Sequence, residues 1–212
     1  MKNIKVFILD DHELIRQGIR RTLGLFKEIM ITGEAESAEE LLGKNAAKDA
    51  DIIVLDIDLP GRSGFEALAD LKKAYPKARF LFLSMFPEEQ FAIRALKSGA
   101  HGYVTKKAVT QQLVDAIRTI ASGRKYASPS VEKQLVDEIG TPVDKQPLQS
   151  LSDRELSVLR LIARGRSVGE IANQLSLSVN TITTYRRRLL AKLGMRTNAE
   201  LVRFALENKL IV

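Results

Sequence analysis

The 212-residue sequence has no cysteine, no tryptophan and only two histidines. Without cysteine there is no disulfide framework, no thiolate metal site and no thiol nucleophile, and two histidines leave little for a metal-binding cluster or a Ser-His triad. Several large enzyme classes are excluded at once. No apolar run approaches the roughly 20 residues that cross a bilayer, and Met1-Lys2-Asn3 leads straight into a short Val/Ile-rich run followed by acids, unlike a signal peptide. The expectation is a cytoplasmic chain of two domains, 45% hydrophobic and 28% charged.

The charge is unevenly placed. Lys and Arg number 33 against 26 Asp and Glu, a net charge of +7. Residues 1–125 hold 20 basic and 17 acidic side chains, residues 126–146 hold 2 and 4, and residues 147–212 hold 11 and 5. The basic excess therefore belongs to the last third, where Arg186-Arg187-Arg188 stand together. A basic patch on one unit of a chain is the electrostatic footprint of nucleic-acid binding, while the mixed first part points to a different partner.

The first part alternates short β-type runs (4–9, 30–35, 51–56, 79–84 and 102–105) with stretches of helical spacing such as Leu14-Ile15-Ile19-Leu23 and Leu113-Ile117-Ile120. Strict alternation predicts an α/β fold, a doubly wound five-stranded parallel sheet covered on both faces. The runs Ile52-Ile53-Val54-Leu55 and Phe80-Leu81-Phe82-Leu83 are continuously apolar, as strands buried on both sides should be. Ser37-Ala-Glu-Glu40 reads as a capping box. After Gly123 the alternation stops. Val131 to Ile139 reads as one further helix, and Gly140 to Pro147 as a polar, proline-punctuated connection.

The expected division is a first domain over 1–123, a helix-bearing linker over 124–147 and a second domain over 148–212. That second domain reads as four short helices, Leu156 to Arg164, Val168 to Leu175, Val179 to Leu193 and Leu201 to Asn208, with capping boxes at Ser152-Asp-Arg-Glu155 and Thr197-Asn-Ala-Glu200. Short helices joined by tight turns, the third rich in Arg, form the pattern of a helix-turn-helix unit.

In a doubly wound sheet, ligands gather at the carboxyl ends of the strands. Asp10-Asp11 end the first predicted strand, Asp56 the third and Ser84 the fourth, and Lys106 follows the fifth. Converging carboxylates favour a hard cation such as Mg²⁺, and an Asp beside such an ion can attack phosphorus while a Lys and a hydroxyl hold the remaining oxygens. Each of these residues alone has an ordinary structural use, Asp-Asp as a helix cap above all. Their joint order carries the reading.

Asp10-Asp11, Leu55 to Gly64, Leu83-Ser84 and Gly99 to Lys106 resemble, in order and spacing, the receiver domain of two-component response regulators. That resemblance implies that Asp56 accepts a phosphoryl group from a sensor histidine kinase. It implies that Asp10, Asp11, Asp56 and the Asp58 carbonyl serve Mg²⁺, and that Ser84 and Lys106 bind phosphoryl oxygens. It also makes Tyr103 an aromatic switch that moves toward the space Ser84 leaves. Lys107 stands where the family often has an acid, and no proline follows Lys106. Asp56-Ile-Asp58 also resembles the nucleophile and acid pair of haloacid-dehalogenase-type phosphatases, but those place the pair after the first strand.

Leu151 to Glu155, Val158-Leu159, Ile162 to Gly165, Glu170-Ile171-Ala172, Leu175 to Ser178, Thr181-Ile182 and Lys192-Leu193-Gly194 resemble the LuxR-type helix-turn-helix of the NarL/FixJ response regulators. At 100° per residue, Val179, Ile182, Leu189, Leu190 and Leu193 share one face with Arg186 among them. Arg186 is therefore expected to be structural, either snorkelling or paired with an acid such as Glu155. The opposite face presents Asn180, Thr183, Thr184, Arg187, Arg188 and Ala191 to the major groove of double-stranded promoter DNA. Ser178 and Thr181 suit phosphate contacts at the helix start, and Lys192 completes the expected DNA-binding set.

The resemblance implies a phosphorylation-controlled transcriptional regulator that is not a turnover enzyme and forms a homodimer when phosphorylated. The last helix is the family's usual output-domain dimer contact. A phosphatase using Asp56 and a DNA binder indifferent to phosphate are the rivals.

Overall fold

The computed structural model describes residues 3–108, 111–140 and 147–211. Most of the expected connection over 140–147 lies outside the described residues. The described residues fall into two compact units, one built on the sheet and one all-helical.

In the first unit β1 (Ile4–Leu9), β2 (Ile29–Ala35), β3 (Ile52–Leu55), β4 (Arg79–Ser84) and β5 (Gly102–Thr105) form one sheet in the order β2-β1-β3-β4-β5. All neighbouring pairs are parallel. The helices between them are α1 (Glu13–Leu23), α2 (Ala38–Lys44), α3 (Gly64–Ala74) and α4 (Glu88–Lys97), with α5 (Gln111–Ala121) after β5. Every residue of β3 is buried, as its unbroken apolar run requires of a central strand. Val6, Ile8, Ile52, Val54, Leu81 and Val104 pack with Leu113, Ile117 and Ile120 of α5 in one core. Each such side chain, fully buried, contributes about 1.5–3 kcal/mol.

Reversal of strand order beside β1 opens the crevice at the carboxyl edge of the sheet. Asp10 comes directly after β1, Asp56 after β3 and Lys106 after β5, while Ser84 ends β4. Chain topology alone thus sets four polar residues on one rim. Gly64 opens α3 against this rim, where a Cβ would lie 2.1 Å from the Asp56 carbonyl oxygen. Gly64→Ala should push α3 away from residue 56 and lower the urea midpoint by an amount equivalent to about 1–3 kcal/mol.

α6 (Pro129–Gly140) packs on α4 and so belongs to the sheet-bearing unit. The expected linker helix exists, but it is docked. It starts at Pro129, two residues before the expected Val131, because the first turn of a helix need carry few apolar residues.

The second unit holds α7 (Asp153–Ala163), α8 (Val168–Gln174), α9 (Val179–Lys192) and α10 (Asn198–Glu207). α7 packs on α8, α9 and α10, and α8 on α9. Ser152 and Thr197 form the expected capping boxes, and Ser167 forms a third with Glu170. At Ser37 only half of the box is present, since Glu40 accepts instead from the Glu36 backbone N–H.

Candidate functional site

The carboxyl rim holds a buried ionic cluster. Lys106 Nζ lies 2.6 Å from both Asp10 Oδ2 and Asp56 Oδ2. Asp10 and Asp56 are each 2% exposed and Lys106 9%. Three charges this far from water persist only because each has a partner. Asp56 Oδ1, however, has no hydrogen-bond partner. Burial pushes the Asp56 carboxyl up to about 6, Lys106 working against the shift and Asp10 adding to it.

A carboxyl raised in the fold contributes most stability below its ordinary range and loses it as pH rises through about 6. Asp56→Asn, which cannot ionise, should therefore raise the urea midpoint of the metal-free protein at pH 7. That advantage should shrink as pH falls from 6 toward 4.

Asp11 is more exposed, with its Oδ1 2.6 Å from His12 Nδ1. Partial burial raises its carboxyl, His12 opposes that, and Asp10 and Asp58 add to it. One ligand atom from each of Asp10, Asp11, His12 and Asp56 lies within 4.8 Å of the others. An orphaned buried oxygen among converging carboxylates fits a hard cation, which takes oxygen ligands and accepts waters for the rest.

Ser84 is buried, and its Oγ accepts from the Phe86 N–H at 3.4 Å. Tyr103 is 1% exposed, and its hydroxyl donates to the Phe86 carbonyl at 2.9 Å. The ring is thus buried, with its hydroxyl on the main chain just beyond Ser84. Burial moves the Tyr103 phenol far above its ordinary range.

Arg16 is a support that motif reading missed. It is 5% exposed, donates to the Asp10 carbonyl at 2.7 Å, and pairs with Glu34, Glu36 and Glu13. Its position three residues before Ile19 and seven before Leu23 on one helix face was the available signal.

The residues of α9 expected to meet DNA lie mostly at its surface. Asn180, Thr183, Arg187 and Arg188 are exposed, and Thr184 is half-buried. Ser178 caps the helix by accepting from the Thr181 N–H, while Thr183 and Thr184 hydroxyls donate to the Val179 and Asn180 carbonyls. Arg187 and Arg188 have no ion-pair partner among the described residues.

Three expectations are corrected. Arg186 Nε donates to Asn198 Oδ1 at 2.6 Å and does not pair with Glu155. Glu155, 2% exposed, is held instead by Lys192 Nζ at 2.7 Å, and the same ammonium donates to the Ser150 carbonyl. Lys192 is therefore a structural cation and not a free groove contact. Helical periodicity could not tell these two cations apart, because which one reaches Glu155 depends on how α7 crosses α9. Val179, placed on the apolar face, is 53% exposed, since the first residue after the cap projects beyond the packed face.

Comparison with known proteins agrees with this geometry. Residues 6–118 match the family model described as response regulator receiver domain, and residues 149–205 that of bacterial regulatory proteins, luxR family. The chain belongs to the response regulators that join a receiver domain to a LuxR-type DNA-binding domain, a family of transcriptional regulators. It is 34% identical over 208 residues to response regulator UvrY of Escherichia coli O6:H1, covering 98% of this chain and 95% of that protein. With response regulator GacA of Pseudomonas protegens it is also 34% identical over 208 residues, covering 98% of each. Among solved structures, RcsB of Salmonella enterica serovar Typhimurium bound to promoter rprA in the presence of phosphomimetic BeF3⁻ superimposes with a TM-score of 0.73 at 25% identity. That match covers 96% of this chain and 98% of RcsB.

No helix among the described residues is long and apolar enough to cross a membrane.

Proposed function

We propose that Asp56 takes a phosphoryl group from the phosphohistidine of a sensor histidine kinase, and that this controls pairing of chains and promoter binding through α9. The observation that carries the reading is the Asp56 carboxylate itself, buried, with one oxygen held by Lys106 and the other without a partner. The free oxygen attacks phosphorus, the new P–O bond forms as the P–N bond to the kinase imidazole breaks, and the departing imidazole takes up a proton. Lys106 and the Ser84 hydroxyl hold phosphoryl oxygens, which draws Ser84 toward residue 56.

Asp11, Asp56 and the Asp58 carbonyl would hold Mg²⁺ with Asp10 assisting. The ion would neutralise charge on the phosphoryl oxygens. Asp10 keeps Lys106 in place, and Arg16 keeps Asp10 in place.

On the output side, Asn180, Thr183, Thr184, Arg187 and Arg188 enter the major groove, while Ser178 and Thr181 contact phosphates. The binding of RcsB to a promoter in its phosphomimetic state supports the same coupling here. The functional division is a receiver over 1–123 and an output domain over 148–212, acting in the cytoplasm as a homodimer when phosphorylated.

The alternative reading, a phosphatase, is separated from this one by stoichiometry. Incubation with radiolabelled acetyl phosphate and Mg²⁺ should give label approaching one phosphoryl per chain. Many turnovers of phosphate released from a phosphomonoester, without label on the protein, would support the phosphatase instead.

A further inference from the structure

The amino end of the sheet carries a second polar hollow that the phosphoacceptor chemistry does not use. β4 runs from Arg79 at this end to Ser84 at the carboxyl rim, and at about 3.3 Å per residue the two ends lie about 17 Å apart. A cavity of about 490 Å³ opens between the end of α3, the start of β4 and the turn from α4 to β5. That volume suits a small molecule. Lys72, Lys77, Arg79 and His101 line it, together with Tyr75 and Gly99, and no acid is among its lining residues.

The fold sets each basic group in place. Lys72, in the last turn of α3, lies across Gly99, whose φ is 95° and where a Cβ would collide with Lys72 Nζ. The missing side chain leaves the ammonium its position. Neither Lys72 nor Lys77 has an ion-pair partner among the described residues. Arg79 Nη1 donates to the Ala121 carbonyl at 3.2 Å, which anchors the guanidinium without neutralising it. His101 Nδ1 accepts from the Phe80 N–H at 3.1 Å, so the neutral ring carries its proton on Nε2 as a further donor. The His101 backbone is tied on both sides, donating to the Phe80 carbonyl at 2.7 Å and accepting from the Tyr126 N–H at 2.8 Å.

The imidazole feels the charge around it. Burial holds His101 below its ordinary pKa, Arg79, Lys125 and Lys72 add to that, and no carboxylate opposes them. A concavity lined by one sign of charge concentrates the opposite ion. Phosphate matches both kinds of cation present, the forked guanidinium and the point-charge ammonium. With three cations on the lining, two linked phosphates engage more of the site than any single small anion.

We propose that this hollow is a binding site for a small diphosphate-bearing anion, held by Lys72, Lys77 and Arg79 with the His101 Nε2–H as a further donor. The diphosphate group is the recognised chemistry, either as the inorganic ion or as the end of a nucleotide. The site stands apart from Asp56 and does not depend on its assignment as phosphoacceptor.

The test is an NMR titration of the full chain in metal-free buffer at constant ionic strength, with pyrophosphate, ADP and sulfate in separate arms. The chain has two histidines, so their ring signals report His101 at the hollow and His12 beside Asp11. Pyrophosphate should shift the His101 signals saturably, at a concentration at least about tenfold lower than sulfate requires. It should also raise the pH at which His101 titrates, because the bound anion offsets the cations that hold it down. The His12 signals should stay in place. The double variant Lys72→Ala/Lys77→Ala should weaken binding by about tenfold or more. Its urea midpoint should match that of the unaltered chain, since both side chains are exposed. Binding of ADP tighter than that of pyrophosphate supports the site with a nucleotide as ligand, and the reverse supports it with the inorganic ion. Unmoved His101 signals, equal response to sulfate and pyrophosphate, or full affinity in the double variant would each overturn the proposal.

Discussion

Asp56→Ala should abolish phosphoryl incorporation, leaving no label above background after incubation with a phosphorylated kinase or acetyl phosphate. Two other carboxylates stand nearby, yet neither should substitute. Asp10 is held by Lys106 and by the His12 backbone N–H, and Asp11 is more exposed and paired with His12. Only Asp56 combines a buried oxygen without a partner and an ammonium 2.6 Å from the other oxygen. Lys106→Ala keeps the nucleophile but removes the cation that neutralises the transferring group, and should slow labelling by about 10²–10³-fold. Label appearing on Asp10 or Asp11 in the Asp56→Ala protein would contradict this assignment.

The second large effect concerns two cations of α9 that lie five residues apart. Lys192→Ala leaves Glu155 buried at 2% exposure with its carboxylate oxygen short of its ionic partner. Removing one member of a buried pair costs about 3–5 kcal/mol, here reduced because Ser152 still donates to Glu155 and Lys192 itself is partly exposed. The output domain should unfold at markedly lower urea concentration. Arg187→Ala should leave that midpoint nearly unchanged and weaken specific DNA binding by about 10-fold or more, as loss of a base-edge contact does. Unfolding curves and fluorescence anisotropy on the two variants separate the roles. Equal losses of DNA affinity with no change in stability would return Lys192 to the groove.

Much of this molecule was legible because strands and strand ends are short-range features. The apolar runs at 52–55 and 80–83 could hardly be anything but buried strands, and once the sheet was parallel its rim residues followed. Capping boxes at Ser152 and Thr197 fixed helix starts through contacts three residues apart. What escaped the sequence depends on crossings between elements. Glu155 could have been met by Arg186 or by Lys192, and helical spacing alone favoured the wrong one. α6 was visible as a helix, but its seat on α4 depends on the turn at Tyr126 and on the missing side chain at Gly102. The inward position of Tyr103 depends on a carbonyl, Phe86, that no motif names.

The absence of cysteine and the scarcity of histidine fit the proposed chemistry, in which a carboxylate attacks phosphorus and arginine reads DNA. The basic excess of the last third has two uses, one at the surface of α9 and one in the Lys192–Glu155 pair. The acidic rim, hidden in a first domain of nearly balanced charge, is the proposed seat of control.

The most direct test of that control is the affinity of the full chain for a DNA site selected from a random pool, measured by anisotropy at fixed salt before and after stoichiometric labelling of Asp56. Labelling should tighten binding by at least about tenfold, equivalent to a coupling of about 1.4 kcal/mol, and the gain should vanish in Asp56→Ala. Equal affinity of labelled and unlabelled protein would show a DNA binder indifferent to its own receiver and would contradict the account.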